Sequence, residues 1–363
     1  MPAKGTQCKK NLIAFEDQHL ELYHNVDLKD HSTMRVGGPA RLFATVRDFA
    51  EVDWAYRWAA STSTSICIVG SGSNIFWADE GYSGLVLHND MRGFQIVSQN
   101  GNTIELQIGS GEILDDVVVR SIQLGLTGLE CLSLIPGTCG GAVIQNSGAY
   151  GMEISQVLQH VEVYDTHSHQ AVTLTRDSCG LGYRTSRFKS DEEGRYVILS
   201  LTVKLQKGPP ANVAYPAVLA VLNNTAAPTS AEVRSAVIAI RKAKLPDPAV
   251  VPNCGSFFTN PVVSSDAILA ILRNDGAPLY ELESGKHKVP AAWLIEHCGL
   301  KNHVDVRLGY GTWPEQPLVL FATRQSSCKD LLEYSTMIEK AVKSQFHIEL
   351  EREPELMTDL DHR

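Results

Sequence analysis

Two glycine-rich segments, a cationic loop, a proline-fixed serine and an acidic run are the parts of this chain whose residue types and spacing could do chemistry. The glycine segments are GSGSN at 70–74 and IPGTCGGAVIQNSGAYG at 135–151, the second carrying Gly137, Gly140, Gly141, Gly148 and Gly151. Glycine lets successive backbone N–H groups point into one concavity, which cradles a pyrophosphate without a dedicated cation. Either segment alone also reads as a tight turn. Two of them in one half of the chain favour a dinucleotide. After GSGSN the letters IFWADEGYSGLVLHN read as strand, turn, strand, and Ile75 stands where a third glycine would be. The strand-to-helix context of a Rossmann fingerprint is missing, so the dinucleotide is not expected to be held that way.

The cationic loop is GYRTSRFK at 182–189. Arg184 could clamp a carboxylate or a developing enolate in a two-pronged geometry that lysine cannot reproduce. On spacing alone, a solvated loop is the favoured reading. The serine lies in NCGSFFTNP at 253–261, after KLPDP at 244–248. Prolines make this region rigid, and rigidity could hold Ser256 where a proton donor must be. A plain proline-rich turn with two core phenylalanines explains the same letters, and slightly better. The acidic run, Glu349-Leu350-Glu351-Arg352-Glu353, places alternate acids on one face of a strand expected at 347–351, which is usually a solvated edge.

The elements that must position these groups belong to a chain of 363 residues, 44% hydrophobic, long enough for two or three packed domains. The pattern is mixed α+β or α/β. Strands are expected at 41–47, 65–69 and 103–108, a helix at 48–60, and another at 112–124 on Ile113, Val117, Val118 and Ile122. Antiparallel strands follow to about 205, and KGPP at 207–210 is the linker. The second half opens with a helix started by the capping box Thr229 and Glu232 and ended before Pro246. Helices at 266–273, 291–298 and 329–344 come next, the last opened by Ser327 and Asp330. A formal charge of −9 argues against a nucleic-acid footprint, so an anionic ligand must find local cations such as Arg241, Lys242 and Lys244. The first twenty residues lack a signal-peptide pattern and no stretch is apolar enough for a membrane span, so a cytoplasmic protein is expected. The eight cysteines, Cys8 among them, form no CxxC pair, which argues against a disulfide framework and a zinc ribbon. No metal site is expected.

Taken in this order and spacing, Ser32-Thr33 with Gly37-Gly38, GSGSN, IPGTCGGAVIQNSGAYG, GYRTSRFK, KLPDP, GSFFTNP and the terminal LERE closely resemble the UDP-N-acetylenolpyruvoylglucosamine reductases, over about residues 32–353. GYRTSRFK followed by Tyr215 in VAYPAV resembles the type I form. The resemblance implies an FAD-binding domain of the vanillyl-alcohol-oxidase (PCMH) type over 18–207, in lobes 18–90 and 91–207. It also implies a C-terminal α+β substrate-binding domain over 208–350, with the segment 347–356 returning to the flavin. It implies NADPH as the co-substrate that reduces FAD, UDP-N-acetylglucosamine enolpyruvate as the acceptor, and a monomer. Hydride would pass to the terminal methylene carbon and leave an enolate to be stabilised and protonated.

Carried over by motif position, Ser256 would be the proton donor, with Arg184 and Glu353 polarising the carboxylate. FAD would contact Gly70, Ser71, Gly72, Ser73 and Asn74, together with Pro136, Gly137, Gly141, Ala142, Asn146, Gly148, Ala149, Tyr150 and Gly151. Tyr215, Lys244 and Asn260, with Tyr183 and Gln316, would hold the diphosphate and sugar. The chain departs from the pattern at Pro354, Glu355 and Leu356, and at Leu114 in GSGEIL. The competing readings are a flavin oxidase of the same broader fold, for which GSFFTNP would be only structural, and a non-catalytic nucleotide-sugar sensor. Consumption of NADPH that depends on the enolpyruvyl nucleotide separates them.

Overall fold

The computed structural model of the chain describes residues 10–15, 18–190, 192–210, 213–223, 225–282 and 285–359; Cys8 lies outside them. The first sheet has the order Lys10–Phe15, Gln18–Asp27, Pro39–Val46, Tyr82–Asn89, Ile66–Val69. Its first pairings are antiparallel and its last two parallel. Parallel strands need a crossover. The helix Phe49–Thr62 supplies it, started by Asp48, whose side chain accepts from Glu51 N. GSGSN leaves the end of Ile66–Val69 and runs into the strand Ile75–Trp77 with no helix between, as the sequence suggests.

The second sheet is antiparallel, in the order Gln170–Thr175, Leu158–Asp165, Tyr196–Lys207, Thr103–Gly109, Phe94–Asn100. Alternation along Thr103–Gly109 buries Ile104, Leu106 and Ile108 against Val117, Val118, Leu201 and Val203. The helix expected at 112–124 begins at Leu114, because Ile113 is extended and bridges Thr138. That bridge, with Leu114 N donating to the Gly137 carbonyl at 3.0 Å, ties the helix entry to the second glycine segment.

The third sheet, Asn253–Ser256, Gln316–Ala322, Tyr310–Trp313, Val304–Asp305, packs with the helices Ala291–His297 and Cys328–Phe346. Phe257, Phe258, Leu294, Leu331, Ile338 and Phe346 are buried in this core, each contributing about 1.5–3 kcal/mol. Both expected capping boxes form, at Thr229/Glu232 for the helix Ser230–Lys244 and at Ser327/Asp330 for Cys328–Phe346. The strand expected at 347–351 does not. His347, with φ +57, closes the preceding helix in a left-handed turn, and the terminal strand is instead Glu355–Met357. It pairs in parallel with Ile75–Trp77 and so stitches the C-terminus onto the first half of the chain. Among the described residues, no helix is long and apolar enough to cross a membrane.

Candidate functional site

The two glycine segments meet face to face. Ser73 Oγ donates to the Pro136 carbonyl at 3.0 Å, and the pair walls a cleft lined by Gly70, Ser71, Gly72, Ser73, Asn74, Pro136, Gly137, Gly141, Ala142 and Gly148. Glycine is required at two of these places. Gly72 has φ +67 and a side chain there would meet the His31 carbonyl at 2.0 Å; Gly137 has φ +132 and would meet Ser73 Oγ at 2.9 Å. The second segment is not purely a loop: Thr138 caps a short helix, Cys139–Ile144, by accepting from Gly141 N. The Ser71 hydroxyl is buried in this wall with no hydrogen-bond partner. Close backbone approach, glycines that admit no Cβ and an unpartnered buried hydroxyl are what a dinucleotide pyrophosphate fits.

The opposite wall brings Ser256, Arg184 and Glu353 to the same cleft from three distant segments. Ser256 ends the strand Asn253–Ser256, opposite Val319, and follows Gly255, whose N–H is held by Asn253 Oδ1. The acidic run lies against this strand's continuation: Glu353 N donates to the Phe257 carbonyl at 3.0 Å and Thr259 N to the Glu351 carbonyl at 2.9 Å. Backbone pairing rather than side-chain contact therefore sets Glu353 beside Ser256. Glu351 and Glu349 are exposed, and Glu349 pairs with Lys343.

Arg184 sits at φ +53 in a tight turn closed by Gly182 and Thr185. Its Nη2 donates to the Gly148 carbonyl at 2.8 Å and its Nη1 to the Asn146 carbonyl at 3.4 Å, while its Nε lies 3.3 Å from Glu353 Oε1. Two of the five guanidinium N–H donors are thus spent on backbone carbonyls and the Nε edge faces Glu353, which leaves two over. Glu353 is 14% exposed. Burial pushes its carboxyl pKa up, and this outweighs the opposing pull of Arg184, the Gln145 hydrogen bond and Lys189.

The remaining residues singled out in the sequence fall into three groups. Asn146 is buried and structural in its contacts, donating to the Gly182 carbonyl and to Glu153 Oε2, each at 2.9 Å. Ala149, Tyr150 and Gly151 lie just beyond the cleft lining, and Tyr150 packs edge-on to Tyr215 at 5.3 Å. Tyr183 and Asn260 line an adjoining cleft that shares Arg184 and Glu353; Lys288 Nζ lies 4.4 Å from the Tyr183 ring, and Asn260 Oδ1 accepts from Ala291 N. Tyr215, Lys244 and Gln316 are brought into neither cleft. Lys244 ends its helix exposed to solvent, and Arg241, one turn earlier, faces the cleft instead.

Three further residues bear on this site: Arg241, named in the sequence only as one of a group of cations, and Gln145 and Lys189, which the sequence did not single out. Arg241 is half-buried and lines the cleft; it shares a hydrogen bond with Tyr150, and its buried Nε has no partner. Gln145 donates to Glu353 Oε1 at 3.1 Å, and Lys189 donates to Gln145 Oε1 at 2.8 Å. Both Gln145 and Lys189 stand inside quoted motifs, so position was the available signal.

Comparison with known proteins bears on the fold and the family. Residues 40–173 match the family model of an FAD binding domain, and residues 247–357 match that of the UDP-N-acetylenolpyruvoylglucosamine reductase C-terminal domain. The chain is 36% identical over 335 residues to a UDP-N-acetylenolpyruvoylglucosamine reductase from Neisseria gonorrhoeae, covering 91% of this chain and 96% of that one. It is 35% identical over 353 residues to one from Streptomyces coelicolor, covering 91% and 89%. The crystal structure of UDP-N-acetylenolpyruvylglucosamine reductase from Thermus caldophilus superposes with a TM-score of 0.66 at 24% identity, covering 93% of this chain and 99% of that one, a likeness of fold.

Proposed function

The chain belongs to the UDP-N-acetylenolpyruvoylglucosamine reductase family, and on that premise we propose that Ser256, Arg184 and Glu353 carry the reduction while the two glycine segments hold FAD. The reaction makes UDP-N-acetylmuramate, a peptidoglycan precursor, from UDP-N-acetylglucosamine enolpyruvate with electrons from NADPH. FAD, when bound, supplies the hydride that adds to the methylene carbon of the enolpyruvyl group. The chain's own residues must then manage the negative charge that appears on the neighbouring carbon and its carboxylate.

Each member of the trio has a chemistry that suits one part of this task. A serine hydroxyl is a weak acid, so Ser256 protonates only a strongly basic carbon held close by; its place at the end of a strand between Gly255 and buried Phe257 supplies the rigidity. Arg184 has two guanidinium N–H groups left for a carboxylate. Burial raises the Glu353 carboxyl pKa, and we assign Glu353 its neutral form here, which donates a hydrogen bond to the developing charge where an ionised carboxylate would repel it. Arg241 supplies a half-buried positive charge on the flavin side of the cleft. Tyr183 and Asn260, in the adjoining cleft, are our assignment for the substrate's nucleotide-sugar part; Tyr215, Lys244 and Gln316 reach it only if the segments around them close over it. The Tyr215 segment, resting on Tyr150, supports the type I form. We assign a monomer as the working unit, in the cytoplasm.

The convergence of Ser256, Arg184 and Glu353 on the cleft walled by both glycine segments is the observation that carries this reading. Ser256→Ala tests it. The variant is expected to reduce flavin with NADPH at close to the wild-type rate and to slow the step that consumes the enolpyruvyl nucleotide by several orders of magnitude in single-turnover measurements. Equal slowing of both steps removes Ser256 from the proton-donor role.

A further inference from the structure

A chain of hydrogen bonds runs from Lys189 to the Glu353 carboxyl. Lys189 Nζ lies 2.8 Å from Gln145 Oε1 and 2.9 Å from Glu355 Oε1, and Gln145 Nε2 lies 3.1 Å from Glu353 Oε1. An ammonium has only donors, so the edge of the Gln145 amide that faces Lys189 must be its oxygen. The NH₂ edge is then committed to Glu353. Arg184 Nε approaches the same oxygen, Oε1, at 3.3 Å. Oε1 accepts from Gln145 Nε2 and faces the Arg184 guanidinium, both of which favour a bare acceptor oxygen, so a neutral Glu353 bears its proton on Oε2. Lys189 is only 16% exposed, a costly place for a charge unless its donors are used.

We propose that Lys189 is a positioning residue for the reduction: by fixing the Gln145 amide, it keeps the Glu353 proton on Oε2, the oxygen left free to donate toward the substrate. This rests on the reading of Glu353 as a neutral hydrogen-bond donor. Neither Lys189 nor Gln145 has an assigned part in the chemistry above. The groups facing Glu353 are Arg184 and Lys189 from the 182–189 loop, Gln145 from the second glycine segment and Cys254 from the strand before Ser256; Glu355, on its own segment, is held by Lys189. Burial pushes the Cys254 thiol pKa up, so Cys254 stays neutral and adds no charge of its own.

Removing the lysine has two consequences. A cation leaves the neighbourhood of Glu353, which moves the carboxyl pKa further up. The Gln145 amide is also free to turn and present its oxygen to Glu353 Oε1, which draws the proton to the wrong side. A rate that needs neutral Glu353 falls as pH rises through the Glu353 pKa, so a higher pKa moves that fall to higher pH.

The test measures the rate at which pre-reduced enzyme turns over the enolpyruvyl nucleotide, as a function of pH. In Lys189→Met the alkaline fall should move up by roughly one unit, and the low-pH plateau should drop about tenfold for a lost charge-assisted hydrogen bond. Lys189→Arg, which keeps a donor-only head, should restore both. Gln145→Leu, which keeps Lys189, should lose the plateau alike and serves if Lys189→Met does not fold. In a Glu353→Gln background, Lys189→Met should change neither plateau nor profile. The proposal is overturned if Lys189→Met leaves the profile in place, or if its loss persists undiminished in the Glu353→Gln background. Should Glu353→Gln itself keep the wild-type plateau and alkaline fall, the reading of Glu353 fails instead, whatever Lys189 does.

Discussion

Arg241 is a half-buried cation whose Nε lacks a partner. It stands seven residues after Arg234 on the helix Ser230–Lys244 and so shares its inward face. Burial pulls its guanidinium pKa down, while Tyr150 and Asp115 pull the other way, and its Nε finds no hydrogen-bond acceptor. A partly desolvated cation with one buried donor unmet carries a cost that an anionic ligand recovers on binding. Arg241→Met is therefore expected to weaken flavin binding about tenfold or more while leaving the stability of the flavin-free protein unchanged or raised. Fluorescence titration of the apoprotein reads the first and chemical denaturation the second. Undiminished flavin affinity with a raised substrate KM would reassign the cation to the substrate. The sequence showed Arg241 only as one of three cations in a last helical turn, and Lys244 took the attention because it opens a motif. Direction on a helix decides between them, and spacing alone did not supply it. Ser256, Arg184 and Glu353 stood out because each sits in an unusual string of letters, and their proposed roles came from the family resemblance those strings carry. Gln145 was not, since an amide has no evident chemistry until Lys189 fixes which edge it turns to Glu353.

The helices that carry this site are joined by few strong contacts, and the clearest is the Asp115–Arg234 pair. Asp115, in the first turn of Leu114–Gln123, accepts from Arg234 Nη2 at 2.9 Å and from Leu134 N at 2.7 Å, so it binds the helix Ser230–Lys244 and the approach to the second glycine segment at once. Burial alone would raise its carboxyl, but the Arg234 and Leu134 hydrogen bonds and the Arg234 charge win and hold it below the usual range. A depressed carboxyl stabilises the fold above its ordinary pKa, and that contribution is lost as pH falls through the lowered value. Asp115→Asn should cost about 2 kcal/mol near neutral pH and abolish this part of the acid sensitivity. Urea midpoints measured at neutral and acid pH check it, and a variant as pH-sensitive as the wild type would exclude the pair as the cause. The helices themselves were readable: apolar residues at three-to-four spacing and two capping boxes are local signals. The strand expected at 347–351 failed because alternation predicts a strand only where a partner edge exists. Here the preceding helix ends in a left-handed turn at His347, and the following residues make single backbone bonds to Phe257 and Thr259 instead. No local pattern announced that the partner of the last strand would be Ile75–Trp77, almost the whole chain away.

That long-range pairing closes the molecule. Glu355 N donates to the Asn74 carbonyl at 3.0 Å and Ala78 N to the Met357 carbonyl at 3.1 Å, so the terminal strand is bonded directly to the end of the first glycine segment. Asn74 Nδ2 also donates to the Glu353 carbonyl at 3.3 Å, and Met357 is buried between the cleft and the core around Trp77 and Tyr82. Glu353 is therefore held from two sides, by Phe257 of the C-terminal sheet and by Asn74 of the flavin side. A chain ending at Pro354 keeps the first tether and loses most of the second. The C-terminal core around Phe257, Leu331 and Ile338 loses only the partly buried Leu356 from its edge, so it should stay folded, while the cleft opens on one wall. Such a truncated protein is expected to hold flavin about tenfold less tightly, and its consumption of the enolpyruvyl nucleotide should fall by more than its flavin affinity, because Glu353 is no longer fixed opposite Arg184. Equilibrium dialysis of flavin and single-turnover rates at saturating flavin separate the two losses. A truncated enzyme with wild-type turnover at saturating flavin would mean that Phe257 alone sets Glu353, and that the parallel strand matters only for retaining the cofactor.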